Sequence, residues 1–212
     1  MHVLESYALQ DNLKIDKPSI YEKYFPMAVE GRYITLDVSS DDESNKYSHW
    51  DMVLDYMSPY LKEKNITVVQ LGNKDDKQVA GCYIAVGQTD NNQKAYVIKN
   101  SALHVTTNNL SLQLASSYDK KIVTLFSNSF YEQFKPYWSK SEDVTVLTAN
   151  RSKPTFNGNE QPKTIDNIRP EKIAECILQN LGKPHSFAFK TLKVGSLYKS
   201  RRIESSLSNA IS

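Results

Sequence analysis

Short β-branched runs and helical stripes take turns along this chain. The clearest run, ITVVQL at residues 66–71, ends on Gly72 and reads as a buried strand. YITLDV at Tyr33–Val38 reads as the first core strand, Ile84–Val86 as a short one, Ala102–Thr106 and Lys121–Phe126 as two more, and Val144–Leu147 as a last edge strand. Between the first two strands Trp50, Val53, Leu54, Met57 and Leu61 recur at helical spacing and predict one buried stripe. Ser48 with Asp51 three residues on predicts a capping box at the start of that helix, Pro59 a kink near its end and Asn65 its stop. Further helices are predicted around Ala95–Lys99, over Leu110–Ala115, and from Pro170 to Gly182, the last with Ile173, Ala174, Ile177, Leu178 and Leu181 on its core face. The stretch from Tyr96 to Ser129 therefore reads as helix, strand, turn, helix, strand, and the rest of the chain can be arranged around it.

The two ends break the pattern. Residues 1–12 predict a short helix with Val3, Leu4, Tyr7 and Ala8 on one face, and Pro18 and Pro26 then rule out long regular structure. Tyr21, Tyr24, Phe25 and Met27 are too apolar for a free linker, so this segment is expected to lie extended against the edge of the domain. Beyond Gly182, Phe187, Phe189, Leu192, Val194, Leu197 and Tyr198 alternate partly like a strand, as at the start of a further domain. The division expected is a helix and extended linker at 1–29, one domain at 30–182, and a basic extension at 183–212. Alternation of strand and helix predicts the α/β class: a Rossmann-like three-layer domain with a mainly parallel sheet.

Composition narrows the function classes. The 212 residues are 40% hydrophobic and 24% charged, ordinary for a folded domain, and a formal charge of +2 gives no reason to expect nucleic acid as partner. No apolar run approaches a bilayer span and the N-terminus lacks a signal peptide's pattern, so a cytoplasmic protein is expected. Only the tail is biased: Lys183, Lys190, Lys193, Lys199, Arg201 and Arg202 occur without an acid between them, a run suited to peripheral contact with a membrane or an acidic glycan, or to plain solvation. Cys82 and Cys176 sit far apart among apolar neighbours and read as small buried hydrophobes. His2, His49, His104 and His185 have no metal-ligand spacing; His104, inside an apolar strand, reads as a core histidine. Gly-x-Gly-x-x-Gly, the Walker loop and the nucleophile elbow are all absent, so no cofactor, metal or catalytic residue is assigned.

One place carries candidate chemistry on physical grounds alone. A strand that ends in the small polar turn Thr106-Thr107-Asn108-Asn109 and opens a helix puts free N–H groups and the positive end of the helix dipole together, a site for anions and above all for phosphate. The aromatic loop FSNSFYEQFKPYW that follows the next strand can stack a base, cover a sugar or plug the end of the sheet.

The order strand, small polar turn, helix with Leu114-Ala115, then a strand ending in Phe126-Ser127 resembles the heptosyltransferase-type glycosyltransferases, glycosyltransferase family nine, inverting enzymes of GT-B fold. The family's turn reads Asp-Ser-Gly and a His precedes its Leu-Ala; here Asn108 and Asn109 stand for Asp-Ser, Leu110 for the Gly, and Gln113 for the His. The resemblance implies a donor-binding C-terminal half, with Lys46 near the phosphates of a nucleotide sugar and Ser39 and Ser40 as its partners. It implies Gly72 where backbone approaches the ligand, Asp75 or Asp76 on the ribose, Gln88 and Thr89 along the base and ribose pocket, and Asn108, Asn109 and Gln113 at the pyrophosphate turn. Asp41, Asp42 and Glu43 crowd Lys46 and weaken an anion site unless they turn outward. The implied ligand is a nucleoside diphosphate sugar, used in surface polysaccharide or lipopolysaccharide synthesis, and the implied partner is an acceptor-binding domain or chain without which this one has little transferase activity. Two other readings stay open: a degenerate, non-catalytic GT-B-like interaction module, motivated by the change of Asp to Asn108 and of His to Gln113, and a sugar-nucleotide epimerase of the same build, which the length speaks against.

Overall fold

A computed structural model of the chain describes residues 1–149, 151 and 153–199; Arg201 and Arg202 of the basic tail lie outside the described residues. The strands are β1 (Arg32–Asp37), β2 (Ile66–Leu71), β3 (Tyr83–Ile84), β4 (His104–Thr107), β5 (Ile122–Phe126) and β6 (Val144–Thr148). All are parallel, in the order β3-β2-β1-β4-β5-β6, the order of the doubly wound dinucleotide-binding fold. The chain builds outward from β1 to β2 and β3, then returns to lay β4 on the other side of β1. The reversal opens a crevice at the C-terminal ends of β1 and β4, where sheets of this kind bind their ligands.

Helices cover both faces, as a parallel sheet requires. On one side α2 (Trp50–Glu63) and α6 (Pro170–Asn180) close over Ile34, Leu36, Val68, Val105, Val123 and Leu125. On the other, α3 (Asn91–Asn100) and α4 (Leu110–Ser117) close over Val69, Leu71, Ile122 and Phe126. The stripe read for α2 is buried in full, Trp50, Val53, Leu54, Met57 and Leu61 alike. Its predicted capping box does not form, because Asp166 outcompetes Asp51: Ser48 N and Oγ both donate to the Asp166 carboxylate at 2.8 Å, while Asp51 pairs with Lys77. Pro59 lies inside the helix, which runs four residues further, and Asn65 takes a left-handed backbone just beyond its end, as a stop should.

At the N-terminus α1 (Val3–Asp11) forms as expected, but none of its residues is buried. It is held by its cap: His2 Nε2 meets the Lys135 carbonyl at 2.9 Å, and the His2 ring rests on Tyr137. In the extended segment Phe25 is buried in the core and Met27 and Val29 pack against it, while Tyr21 and Tyr24 stay exposed. The C-terminal segment is strand only in the hairpin β7 (Leu192–Val194) and β8 (Leu197–Lys199). It packs on the sheet domain: Phe187 and Phe189 lie against Tyr56 of α2, Thr191 binds Glu171 of α6, and the buried Tyr198 donates to the Asp166 carbonyl.

Among the described residues no helix is long and apolar enough to cross a membrane, and no group of three or more His, Cys, Asp or Glu could hold a metal ion.

Candidate functional site

The crevice between β1 and β4 is built from side chains that the parallel register brings side by side, Asp37 opposite Thr106. Asp37 is buried at the end of β1, where Ser39 N and Oγ donate to its Oδ1 at 2.9 and 2.6 Å. Its other oxygen has no hydrogen-bond partner, and the nearest cation is the ammonium of Lys94 on α3, 3.9 Å away and itself nearly buried. Across the crevice Asn109 caps α4, accepting from Leu112 N at 3.2 Å and from the hydroxyls of Ser111 and Thr106, and its Nδ2 donates to the Ser39 carbonyl at 2.8 Å. One amide thus fixes the start of α4 and ties it to the β1 loop.

Below it lies a polar spine. His104 bonds Thr35 Oγ1 through Nδ1 and Ser111 Oγ through Nε2, both at 2.9 Å. It is fully buried, and loss of hydration pushes its pKa down to about 4, so the imidazole is neutral in the fold. The reading of His104 as a core histidine agrees with this geometry.

The other predicted residues fall along the same rim. Lys46 follows β1 and lines a pocket of about 340 Å³ with Val38, Trp50, Asp76 and Lys163. Its ammonium is 2.6 Å from Glu43 and 3.8 Å from Asp76. The Glu43 hydrogen bond raises the Lys46 pKa and lowers that of Glu43, so both stay charged. Of the three crowding acids, Asp41 and Asp42 are exposed and Glu43 turns onto the lysine. Ser40 caps the loop, accepting from Asp42 N at 3.2 Å.

Gly72 is followed by a turn in which Asp76 accepts from Asn73 N at 2.6 Å; a Cβ on Gly72 would stand 3.0 Å from that carboxylate, so the space the glycine leaves is taken by Asp76. Asp75 is exposed, Gln88 folds back onto the Ile84 carbonyl at 3.0 Å, and Thr89 keeps a buried hydroxyl without a partner. Asn108 Nδ2 donates to Ser129 Oγ at 3.1 Å. Gln113 faces elsewhere: its amide holds the carbonyls of Phe134 and Lys135 and accepts from Tyr137 N, securing the loop after α5 (Tyr131–Phe134).

Some residues of the rim escape sequence reading. Asp37 leaves one signal, a carboxylate closing an otherwise apolar strand; Lys94 leaves none, since a lysine in a polar helix is ordinary. The connection from β6 to α6 is also more than a loop. Ser44 Oγ bonds the Asn157 carbonyl at 2.6 Å and accepts from Glu160 N at 2.7 Å, Phe156 N donates to the Asn128 carbonyl at 2.9 Å, and the buried Glu160 pairs with Arg151 at 2.7 Å. It is a strap fastened to the ends of both β1 and β5. A larger groove, about 510 Å³, runs down the flank of α2 to Asn65 and Ile66 at the far end of β2. The general rule for doubly wound sheets, rather than volume, makes the rim the candidate.

Fold and rim together define a doubly wound α/β domain with polar side chains gathered at its switch point. Its likeness among solved structures is to heptosyltransferases. The E. coli ADP-heptose LPS heptosyltransferase II matches with a TM-score of 0.53 and 18% identity over 84% of this chain and 50% of that one. The dodecameric heptosyltransferase TibC of enterotoxigenic E. coli, solved with ADP-D-β-D-heptose, matches with 0.56 and 12% over 74% and 47%. The E. coli heptosyltransferase WaaC, solved with ADP, matches with 0.51 and 10% over 73% and 46%. The chain therefore resembles, in fold, part of a heptosyltransferase-type glycosyltransferase, and it spans about half the length of these structures. No protein-family profile and no curated protein sequence matches it.

Proposed function

We propose that this chain is the donor-binding, C-terminal half of a GT-B glycosyltransferase and holds a nucleoside diphosphate sugar in the cytoplasm for surface polysaccharide or lipopolysaccharide synthesis. The observation that carries the proposal is the order of the rim: Asp75 and Thr89 beyond β2 and β3, Lys46 near Asp76 on the β2 side of the β1 loop, and Ser39 tied to Asn109 at the start of α4. That order suits base and ribose on one side and a pyrophosphate at the start of α4. In the transfer, an acceptor hydroxyl oxygen forms its bond to the anomeric carbon as the bond from that carbon to the diphosphate oxygen breaks. The departing negative charge is met by Lys46 and by the first N–H groups of α4. The acceptor's proton goes to a base outside this chain, on the acceptor half.

The test is titration calorimetry of the protein with ADP, UDP, GDP and their sugar conjugates. Saturable heat with one base is expected, and flat isotherms throughout would end the proposal. Lys46 must leave Glu43 to meet a phosphate, so Glu43→Gln is expected to tighten binding several-fold and Lys46→Ala to weaken it about tenfold, as loss of one charge-assisted hydrogen bond implies. Alone, the chain is expected to show no sugar transfer.

A second reading, the non-catalytic module, is favoured by the use of Asn109 and Gln113 as internal ties and by the pairing of Lys46 with Glu43 and Asp76. It predicts the flat isotherms.

A further inference from the structure

Two aromatic side chains stand exposed at the rim, one strand beyond the crevice. Phe130 follows β5 and Phe156 belongs to the strap; they are 48% and 56% exposed, with ring centroids 5.7 Å apart and planes tilted by 59°. Nothing in the core requires them there. Phe156 holds its place at φ 53, a left-handed backbone rarely adopted by a bulky residue. The position is fastened all the same, by Phe156 N to the Asn128 carbonyl and by Asn128 Nδ2 to the Asn157 carbonyl at 3.2 Å.

The chain next to the rings carries neutral polar groups at Asn128, Ser129 and Asn157. Ser129, next to Phe130, takes the Asn108 amide. Asn128 is buried, and its Oδ1 is an acceptor without a partner. Apolar ring faces beside amides and hydroxyls suit an uncharged polyol, which offers C–H groups to the rings and hydroxyls to the amides. They do not suit a phosphate.

We infer that Phe130, Phe156, Asn108 and Asn128 form the subsite for the sugar ring of the bound donor. The inference rests on the donor-binding reading and assigns the opposite end of the ligand. Base, diphosphate and sugar follow one another in such a molecule, as β2 and β3, the crevice, and β5 do along the rim. With strands about 4.8 Å apart, β5 stands roughly 7 Å from the middle of the crevice, the reach from a bound diphosphate to the sugar attached to it.

The experiment compares each nucleoside diphosphate with its sugar conjugate, ADP with ADP-glucose, UDP with UDP-glucose and GDP with GDP-mannose, on the protein, on Phe130→Ala and on Phe156→Gly. Glycine is at ease at positive φ, so the second variant removes the ring while relieving the backbone. The conjugate is expected to bind about tenfold more tightly than the bare diphosphate to the unaltered protein, and both variants are expected to lose that advantage while holding the diphosphate within about twofold, as loss of an aromatic contact implies. An unchanged ratio in both variants overturns the sugar subsite and leaves the donor reading standing. Absence of any nucleotide binding overturns both.

Discussion

His104 shows how one residue sets a pH response. Its neutral form is the one the fold accepts, since burial holds its pKa near 4 while an unfolded histidine titrates near 6.5. Above pH 6.5 neither state gains a proton and stability is at its full value. As pH falls toward 4 the unfolded chain binds the proton first and stability is lost, by about 3 kcal/mol in all. Urea unfolding at pH 7.0, 5.5 and 4.5 should show this decline, and His104→Gln should flatten most of it. Buried His49, whose pKa is also lowered by burial, accounts for a remainder. That His104 is a core residue was legible from its apolar strand. Its partners were not, because Thr35 lies 69 positions away and only the β1–β4 register brings it alongside. The same limit explains Ser48, whose nearest acid in sequence is not its nearest acid in space.

At the scale of elements, strands and helices followed the hydrophobic pattern closely, and the parts that did not were those held by distant polar contacts. The helix of Leu110–Ser117 was legible from its leucines, and the turn before it from its asparagines. What the pattern could not show is that Asn109 serves two elements at once, closing α4 and gripping the β1 loop. Asn109→Ala should therefore cost about 1–2 kcal/mol in chemical denaturation, the range for a lost cap, with the β1 loop loosened as well. Gln113, expected at the pyrophosphate turn, is instead an anchor for the loop after α5, a role set by residues more than twenty positions on.

For the whole molecule, the alternation of elements pointed to a parallel sheet, and the sheet is parallel throughout. The strand order was not legible, since nothing in the local pattern states that the chain reverses between β3 and β4. The C-terminal segment shows the converse. Its sequence reads as a new beginning, yet its described part is a brace across α2 and α6, with Thr191 and Tyr198 buried and Phe187 and Phe189 on Tyr56. Truncation after Pro184 should lower stability by at least ~3 kcal/mol, the sum expected from baring these side chains. Thermal melting of the shortened protein would check it, and an unchanged midpoint would show the brace to be idle.

The strap gives the rim a history in time. Ser44 waits 116 residues for the backbone of Glu160, and Ser48 waits 118 for Asp166. On the ribosome, where chains emerge at about 5–20 residues per second and earlier segments settle first, β1 to β5 can pair well before either partner exists. Until those partners emerge the rim cannot be fastened, however much of the sheet has formed, and a translation pause before residue 160 has emerged would leave that rim open to whatever ligand or chaperone arrives.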